Sequence, residues 1–347
     1  MLSRIRVSNL GPLADVSFQP GPGLNVVLGR NASGKTMLLK VLYATQRALE
    51  EFRRGEDRRP FRSVLEDKLY WTFQTERLGA VVRRGVGGPT SKLEVEIHSE
   101  DAGQDTVNLR YSFSRKVERG VGQLEGAPQV GRAGESLFVP AKEIVSQVGI
   151  IKETRGQQKF GFDDPTYDLV RALEREPSRG RPPFGDARRL IEDLLGHGRL
   201  RMNRTGGWVY RAGNLDVPVA IAAEGHKKIG IIDRLIVNRS LTPRSLLFLD
   251  EPESFLHPQA LLGFLHVLAL LAEGGVQVFM ATHSLFVLNG LRVYASSRAR
   301  SVPVLSLAEP GAPATVADLQ RGMPDNNPIV DASIRLYEME IEGAFDG

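Results

Sequence analysis

Apolar positions along this chain follow two periods. Largely apolar runs at residues 24–28, 136–139, 246–249 and 276–280 are short and bounded by polar turns, so they predict strands buried on both faces. Alternation of apolar and polar residues at 92–98 and 107–113 instead predicts antiparallel strands with one face in solvent. Residues 1–7 read directly as a strand, and the run 78–83 is strand-like as well. Helical character follows residue 36, recurs at 64–73, and dominates 150–197, broken at Pro165 and by the Pro/Gly-rich stretch 177–185. Residues 186–195 read as an amphipathic helix, 199–203 and 208–211 as a hairpin around Gly206-Gly207, and 229–237 as an apolar helix. Further helices are predicted from Gln259 and over 328–342, a strand at 302–307, and a glycine-rich loop over 120–134. Buried strands alternating with helices predict an α/β nucleotide-binding sheet. The absence of a heptad run excludes a long coiled-coil arm.

Composition narrows the setting. Charged residues at 25% and hydrophobic ones at 41% are those of an ordinary soluble globular chain. With 347 residues and no internal repeat, one domain of joined lobes is expected. The lobes are a nucleotide-binding and antiparallel β lobe over 1–140, a helical insert over 141–220, and the remaining elements over 221–347. Cysteine is absent, which removes disulfides, thiol catalysis and cysteine-held metal, and the six histidines lack metal-ligand spacing. The chain opens without a leader, and its longest apolar stretch, 261–272, carries His266 and is too short to span a bilayer. A cytoplasmic, membrane-free protein is therefore expected. A net charge of +4 is compatible with a nucleic-acid partner without requiring one. The densest basic cluster, 53–62, carries interspersed acids and reads as a solvated loop.

Three of the predicted buried strands lead into residues that carry chemistry. Gly29, Arg30, Asn31, Ala32, Ser33, Gly34, Lys35 and Thr36 fit G-x-x-x-x-G-K-[ST], placed between a strand and a helix. Backbone amides of such a loop wrap a phosphate chain, Lys35 reaches the β- and γ-phosphates, and the Thr36 hydroxyl ligates Mg²⁺. The predicted ligand is a nucleoside triphosphate with Mg²⁺. Strand 246–249 ends in Asp250 and Glu251. Asp250 is placed to hold Mg²⁺, and Glu251 to act as general base on a water attacking the γ-phosphate. Strand 276–282 delivers His283, a candidate to touch the γ-phosphate or polarise that water. Arg30, inside the loop, reads as solvent-exposed, with an internal charge stabiliser as the alternative.

Together, the phosphate loop, Asp250-Glu251-Pro252-Glu253-Ser254-Phe255-Leu256-His257-Pro258 and Ala281-Thr282-His283-Ser284 resemble the ABC-class ATPases of the SMC/RecF/OLD kind. The resemblance is to the short bacterial AAA family ATPases related to anti-phage defence proteins in particular. It implies a P-loop NTPase fold of ABC type: α/β, with a mixed central sheet, an antiparallel β lobe and a helical lobe. It also implies Mg²⁺-dependent ATP hydrolysis with Lys35, Glu251 and His283 as catalytic residues, and a homodimer or higher oligomer that sandwiches ATP. Each protomer would present a helix N-terminus at Gly225 to its partner's nucleotide in trans. Ala223 stands where the family has serine, so a hydroxyl contact is lost. Lys227 or Lys228 adds charge there or lies on a solvated face. The glutamine expected after strand 136–139 is replaced by Glu143, a candidate third metal contact, with Lys142 and Gln147 as alternatives. The implied role is to drive a DNA-related defence or repair effector. About sixty residues follow His283, without an Asp-x-Asp pair, so a nuclease or toxin would be separately encoded. The alternatives are the ATP-binding subunit of a membrane transporter, which His257 argues against, and an ATP-dependent regulator of a toxin-like partner.

Overall fold

The computed structural model describes residues 1–84, 92–100, 106–203, 205–307, 313–325 and 327–343, and every count or absence below is of those residues. The first strands, β1 (Leu2–Leu10), β2 (Leu13–Phe18) and β3 (Leu24–Gly29), lead into helices α1 (Lys35–Glu51) and α2 (Phe61–Phe73). Then come β4 (Lys92–Ser99), β5 (Val107–Ser114), β6 (Gln123–Glu125) and β7 (Ser136–Val139). The next stretch is helical: α3 (Val148–Gly156), α4 (Asp164–Glu174) and α5 (Gly185–Leu194), followed by β8 (Arg199–Met202), β9 (Trp208–Ala212) and β10 (Leu215–Pro218). The remainder comprises α6 (Glu224–Val237), β11 (Leu246–Asp250), α7 (Pro258–Glu273), β12 (Gln277–Thr282), α8 (Leu285–Ser297), β13 (Pro303–Leu307), β14 (Thr315–Asp318) and α9 (Pro328–Glu342).

The central sheet runs β14-β13-β3-β12-β11-β7, parallel except for the antiparallel edge strand β14. Its parallel strands are largely apolar and almost wholly buried because both faces are covered, and the period of two sorts their side chains. Val278 and Met280 of β12 join one core with α4 to α8, while Phe279 and Ala281 join the other with α1, α2 and the antiparallel sheet. That second sheet runs β2-β1-β4-β5-β6, and a third, β10-β9-β8, stands beside α6. The fold is that of a P-loop NTPase of ABC type, with the mixed central sheet, antiparallel sheet and helical elements expected. No helix is long and apolar enough to cross a membrane.

Several elements differ from the sequence expectation. The run 78–83 is not a strand: Leu78–Val81 makes a 3₁₀ turn. Its Leu78 and Gly79 amides donate to Glu118 O and Val117 O, and a Cβ at Gly79 would fall 2.3 Å from Arg115 O. Close backbone approach at a glycine overrides the strand-like pattern. Pro165 does not break a helix but opens α4, where its missing N–H costs nothing and the Asp163 side chain caps the Thr166 amide at 3.0 Å. The loop expected over 120–134 contains the short strand β6, and β10, β14 and α8 had no counterpart in the sequence pattern.

Candidate nucleotide site

Three neighbouring parallel strands bring the motifs together. In the order β3-β12-β11, Leu28 pairs with Thr282 and Ala281 with Asp250, so residues over 200 apart in sequence share one sheet edge. This is the carboxyl end of the sheet, where open α/β folds place their ligands.

The loop after β3 is built to turn amides inward. Ala32 and Gly34 adopt φ +62° and +97°, and the Ser33 amide donates to Arg30 O at 3.2 Å. A Cβ at Gly34 would sit 2.9 Å from both Leu13 and Pro12, so glycine is required for space as well as for handedness. A Cβ at Gly29 would sit 2.5 Å from Ser33 Oγ, a buried hydroxyl without a hydrogen-bond partner. The ammonium of Lys35 bonds Gly29 O at 2.8 Å and Arg30 O at 2.9 Å, closing the loop on itself. Burial lowers its pKa, against the pull of Glu251, Asp250 and Glu253. Arg30, Asn31 and Ala32 are exposed.

The Thr36 hydroxyl donates to both Asp250 oxygens, at 3.0 and 3.1 Å. Burial raises the Asp250 carboxyl above its ordinary value, opposed first by Thr36. A hydroxyl and a carboxylate meeting at the mouth of the phosphate loop make an all-oxygen donor set, which fits Mg²⁺. Glu251 follows at φ +46°, rare for a residue with a side chain, held by its amide donating to Ala281 O at 2.9 Å. Its Oε1 lies 3.1 Å from His283 Nδ1, and its Oε2 accepts the Ser254 hydroxyl at 3.4 Å.

Other predicted residues stand further out. Glu143 lines the cleft shared with Thr36, Lys40 and Asp250, as do Lys142 and Gln147. Its carboxylate is turned to its own 3₁₀ turn, accepting the amides of Val145 and Ser146 and the Ser146 hydroxyl. Gly225 lies in the first turn of α6, whose preceding residue Ala223 makes no side-chain cap. There it packs on its own chain, a Cβ being 3.0 Å from Phe255 O. Lys227 and Lys228 are buried, which corrects the solvated-face alternative. Lys227 pairs with Glu224 at 2.8 Å, while Lys228 donates to Glu251 O at 2.7 Å and Ser254 O at 3.4 Å. Burial lowers Lys228 to about 8, against the raising influence of Glu253, Asp250 and Glu251. Sequence reasoning missed Glu253 as part of the site, and offered Lys228 to a partner's nucleotide rather than to the Glu251 carbonyl it bonds. Glu253 stood in the quoted motif, but only the fold shows it accepting the Thr282 hydroxyl at 2.6 Å. The basic cluster is spent locally: Arg59 pairs with Asp57 and Asp67, and Arg62 donates to Val121 O.

Comparison with known proteins agrees with this geometry. Residues 143–289 match the family described as "AAA domain, putative AbiEii toxin, Type IV TA system", a span that holds Asp250, Glu251 and His283. Over 124 residues the chain is 26% identical to the DNA replication and repair protein RecF of Limosilactobacillus fermentum. That match covers 36% of this chain and 30% of the relative, less than a third of its length. Among solved structures, an SMC head bound to the C-winged helix domain of ScpA superposes with TM-score 0.57 at 12% identity, covering 92% of this chain and 98% of that one. The Smc head with an extended coiled coil, bound to the C-terminal domain of ScpA derived from Pyrococcus furiosus, gives 0.53 at 11%, covering 98% and 99%. These likenesses speak to the fold. Motifs, family match, relative and architecture point the same way: the chain is similar to an AAA-domain family over residues 143–289 and shares its fold with SMC heads.

Proposed function

We propose that this chain binds ATP with Mg²⁺ and hydrolyses it, and that two copies close on the nucleotide to drive an effector acting in trans. The observation that carries the reading is the contact of Glu251 with His283 beside the Thr36–Asp250 pair, on adjacent strand ends. The amides of 29–36 and Lys35 bind the phosphates, and Lys35 must leave the Gly29 and Arg30 carbonyls to do so. Thr36 and Asp250 would hold Mg²⁺, which supplies charge neutralisation on the β- and γ-phosphates. Glu251 orients and deprotonates the attacking water, and His283 fixes Glu251 and faces the γ-phosphate. Little covalent help is needed, since phosphoryl transfer is dominated by positioning and charge stabilisation. Glu143, with both oxygens on its own turn, serves the metal only if that turn opens. The lobes 1–140, 141–220 and 221–347 act as one domain in this reading.

The second copy would reach the nucleotide through the uncapped start of α6 at Gly225, whose free amides favour an anion. A role in DNA repair draws on the RecF relative's name; antiviral defence, a cytoplasmic setting and a separate nuclease or toxin rest on the motif resemblance. The family description, with its toxin–antitoxin wording, favours the second reading, an ATP-dependent regulator of a toxin-like partner. Glu251→Gln should bind ATP, lose hydrolysis, and run as a dimer on size exclusion only with ATP. A variant that turns over normally as a monomer would refute the assignment. Stimulation of wild-type ATPase by duplex DNA at moderate salt supports the repair role, and its absence supports the regulator.

A further inference from the structure

One carboxylate in the site has no task in the hydrolytic scheme. Glu253 accepts the Thr282 hydroxyl on Oε1, and the same oxygen lies 3.9 Å from His283 Nδ1. Thr282 Oγ1 in turn accepts the Ser284 amide at 3.0 Å, so Glu253 steadies the backbone on both sides of His283. The other oxygen, Oε2, is buried with no hydrogen-bond partner. Buried acceptors are nearly always paired, so one held open calls for a donor that arrives in another state of the site. His283, whose Nδ1 already stands 3.9 Å from Oε1 of this under-used carboxylate, is a donor within reach of it. Its Nδ1 now meets Glu251 Oε1 at 3.1 Å while Ser254 occupies Glu251 Oε2, so both oxygens of the general base are engaged. To act on water, Glu251 has to turn an oxygen away, and the imidazole N–H then needs a second acceptor within short reach.

We propose that Glu253 is the positioning residue that receives His283 when Glu251 turns to water. The Nδ1–H passes from one carboxylate to the other by a small ring movement. No proton is transferred, the tautomer is kept, and Nε2 stays available to the substrate. The purpose of the exchange rests on the hydrolytic reading, but the exchange itself belongs to the resting site and is readable without turnover.

Ring-nitrogen NMR on the nucleotide-free full chain, labelled with ¹⁵N-histidine, tests it, with His283 assigned by its loss in His283→Ala. Glu251→Ala and Glu253→Ala should each keep the Nδ1–H tautomer, and only the double variant should lose it. Loss in Glu251→Ala alone overturns the proposal. Because residue 251 has φ +46°, Glu251→Gly is the second version should alanine not fold. In turnover, Glu253→Ala should lower kcat about tenfold or more with KM for MgATP within about twofold. Glu253→Gln, which keeps an acceptor oxygen, should restore most of that loss. A Glu253→Ala kcat equal to wild type also overturns the proposal. A wild type without ATPase activity counts against hydrolysis alone, and the ring-nitrogen spectra then decide the exchange.

Discussion

Glu251 and Lys228 illustrate how single residues here hold positions their chemistry disfavours. A left-handed backbone costs a glutamate about 1 kcal/mol, and burying an ammonium costs more. Lys228 meets the strained turn at its carbonyls, Glu251 O and Ser254 O, so the two costs stabilise one arrangement. The pH dependence follows from the sign of the shift. Lys228 titrates near 8 in the folded chain and near 10.5 unfolded, so between those values the unfolded chain binds more protons. Stability therefore rises with pH across that window, and the full burial cost is present below pH 8. Urea unfolding of wild type and Lys228→Met should show the difference moving in favour of wild type by up to about 3 kcal/mol as pH climbs from 8. A difference that stays flat would mean the ammonium is not buried.

At the scale of elements, the start of α6 is open to improvement. Ala223 precedes the helix with extended ψ 134° and no side-chain cap, leaving first-turn amides without a local acceptor. Ala223→Ser should stabilise the chain by about 1 kcal/mol, read as a rise in Tm. If ATP closes two copies through this turn, the same change should tighten the ATP-dependent dimer of Glu251→Gln. Most elements lining the site were legible from the sequence. Strand β3, strand β11 and the end of β12 announce themselves as apolar runs ending in a phosphate loop, Asp250-Glu251 and His283. What the sequence withheld depends on contacts between distant segments. Gly79 is read as strand until Arg115 O closes on it, and Lys227 and Lys228 look solvated until α6 is laid on the turn after β11. Glu253 has no assignable task until Thr282, 29 positions away, donates to it.

Across the whole molecule, the helix that leaves the phosphate loop is fastened to two others by buried charge. Lys68 of α2 reaches Asp168 at 2.8 Å and Asp164 at 3.1 Å on α4, and Glu51 of α1 at 3.0 Å. Tyr43 of α1 donates to Asp168 at 2.8 Å, and Arg47 stands 3.5 Å from the same carboxylate. Glu50, beside Arg47, accepts the Ser136 amide of β7, so the network also reaches the central sheet's edge. Burial acts to raise Asp168, but Lys68 and Arg47 outweigh it and hold the carboxyl below its ordinary range, while burial leaves Asp164 above it. A depressed carboxyl contributes stability that is fully present above its unfolded value of 3.8 and is lost as pH falls through the folded value. Removing one partner of such a cluster is costlier than removing the cluster, because the remaining charges stay buried. Lys68→Met should therefore lose about 3–5 kcal/mol at pH 7. It should also flatten the loss of stability below pH 4, since Asp168 then titrates closer to its unfolded value. Adding Asp164→Asn should recover part of that loss at pH 7 by removing one of the two facing carboxylates. Urea midpoints for the three chains between pH 7 and 2.5 measure this, and a Lys68→Met chain as stable as wild type would show that the helices are held by apolar packing alone.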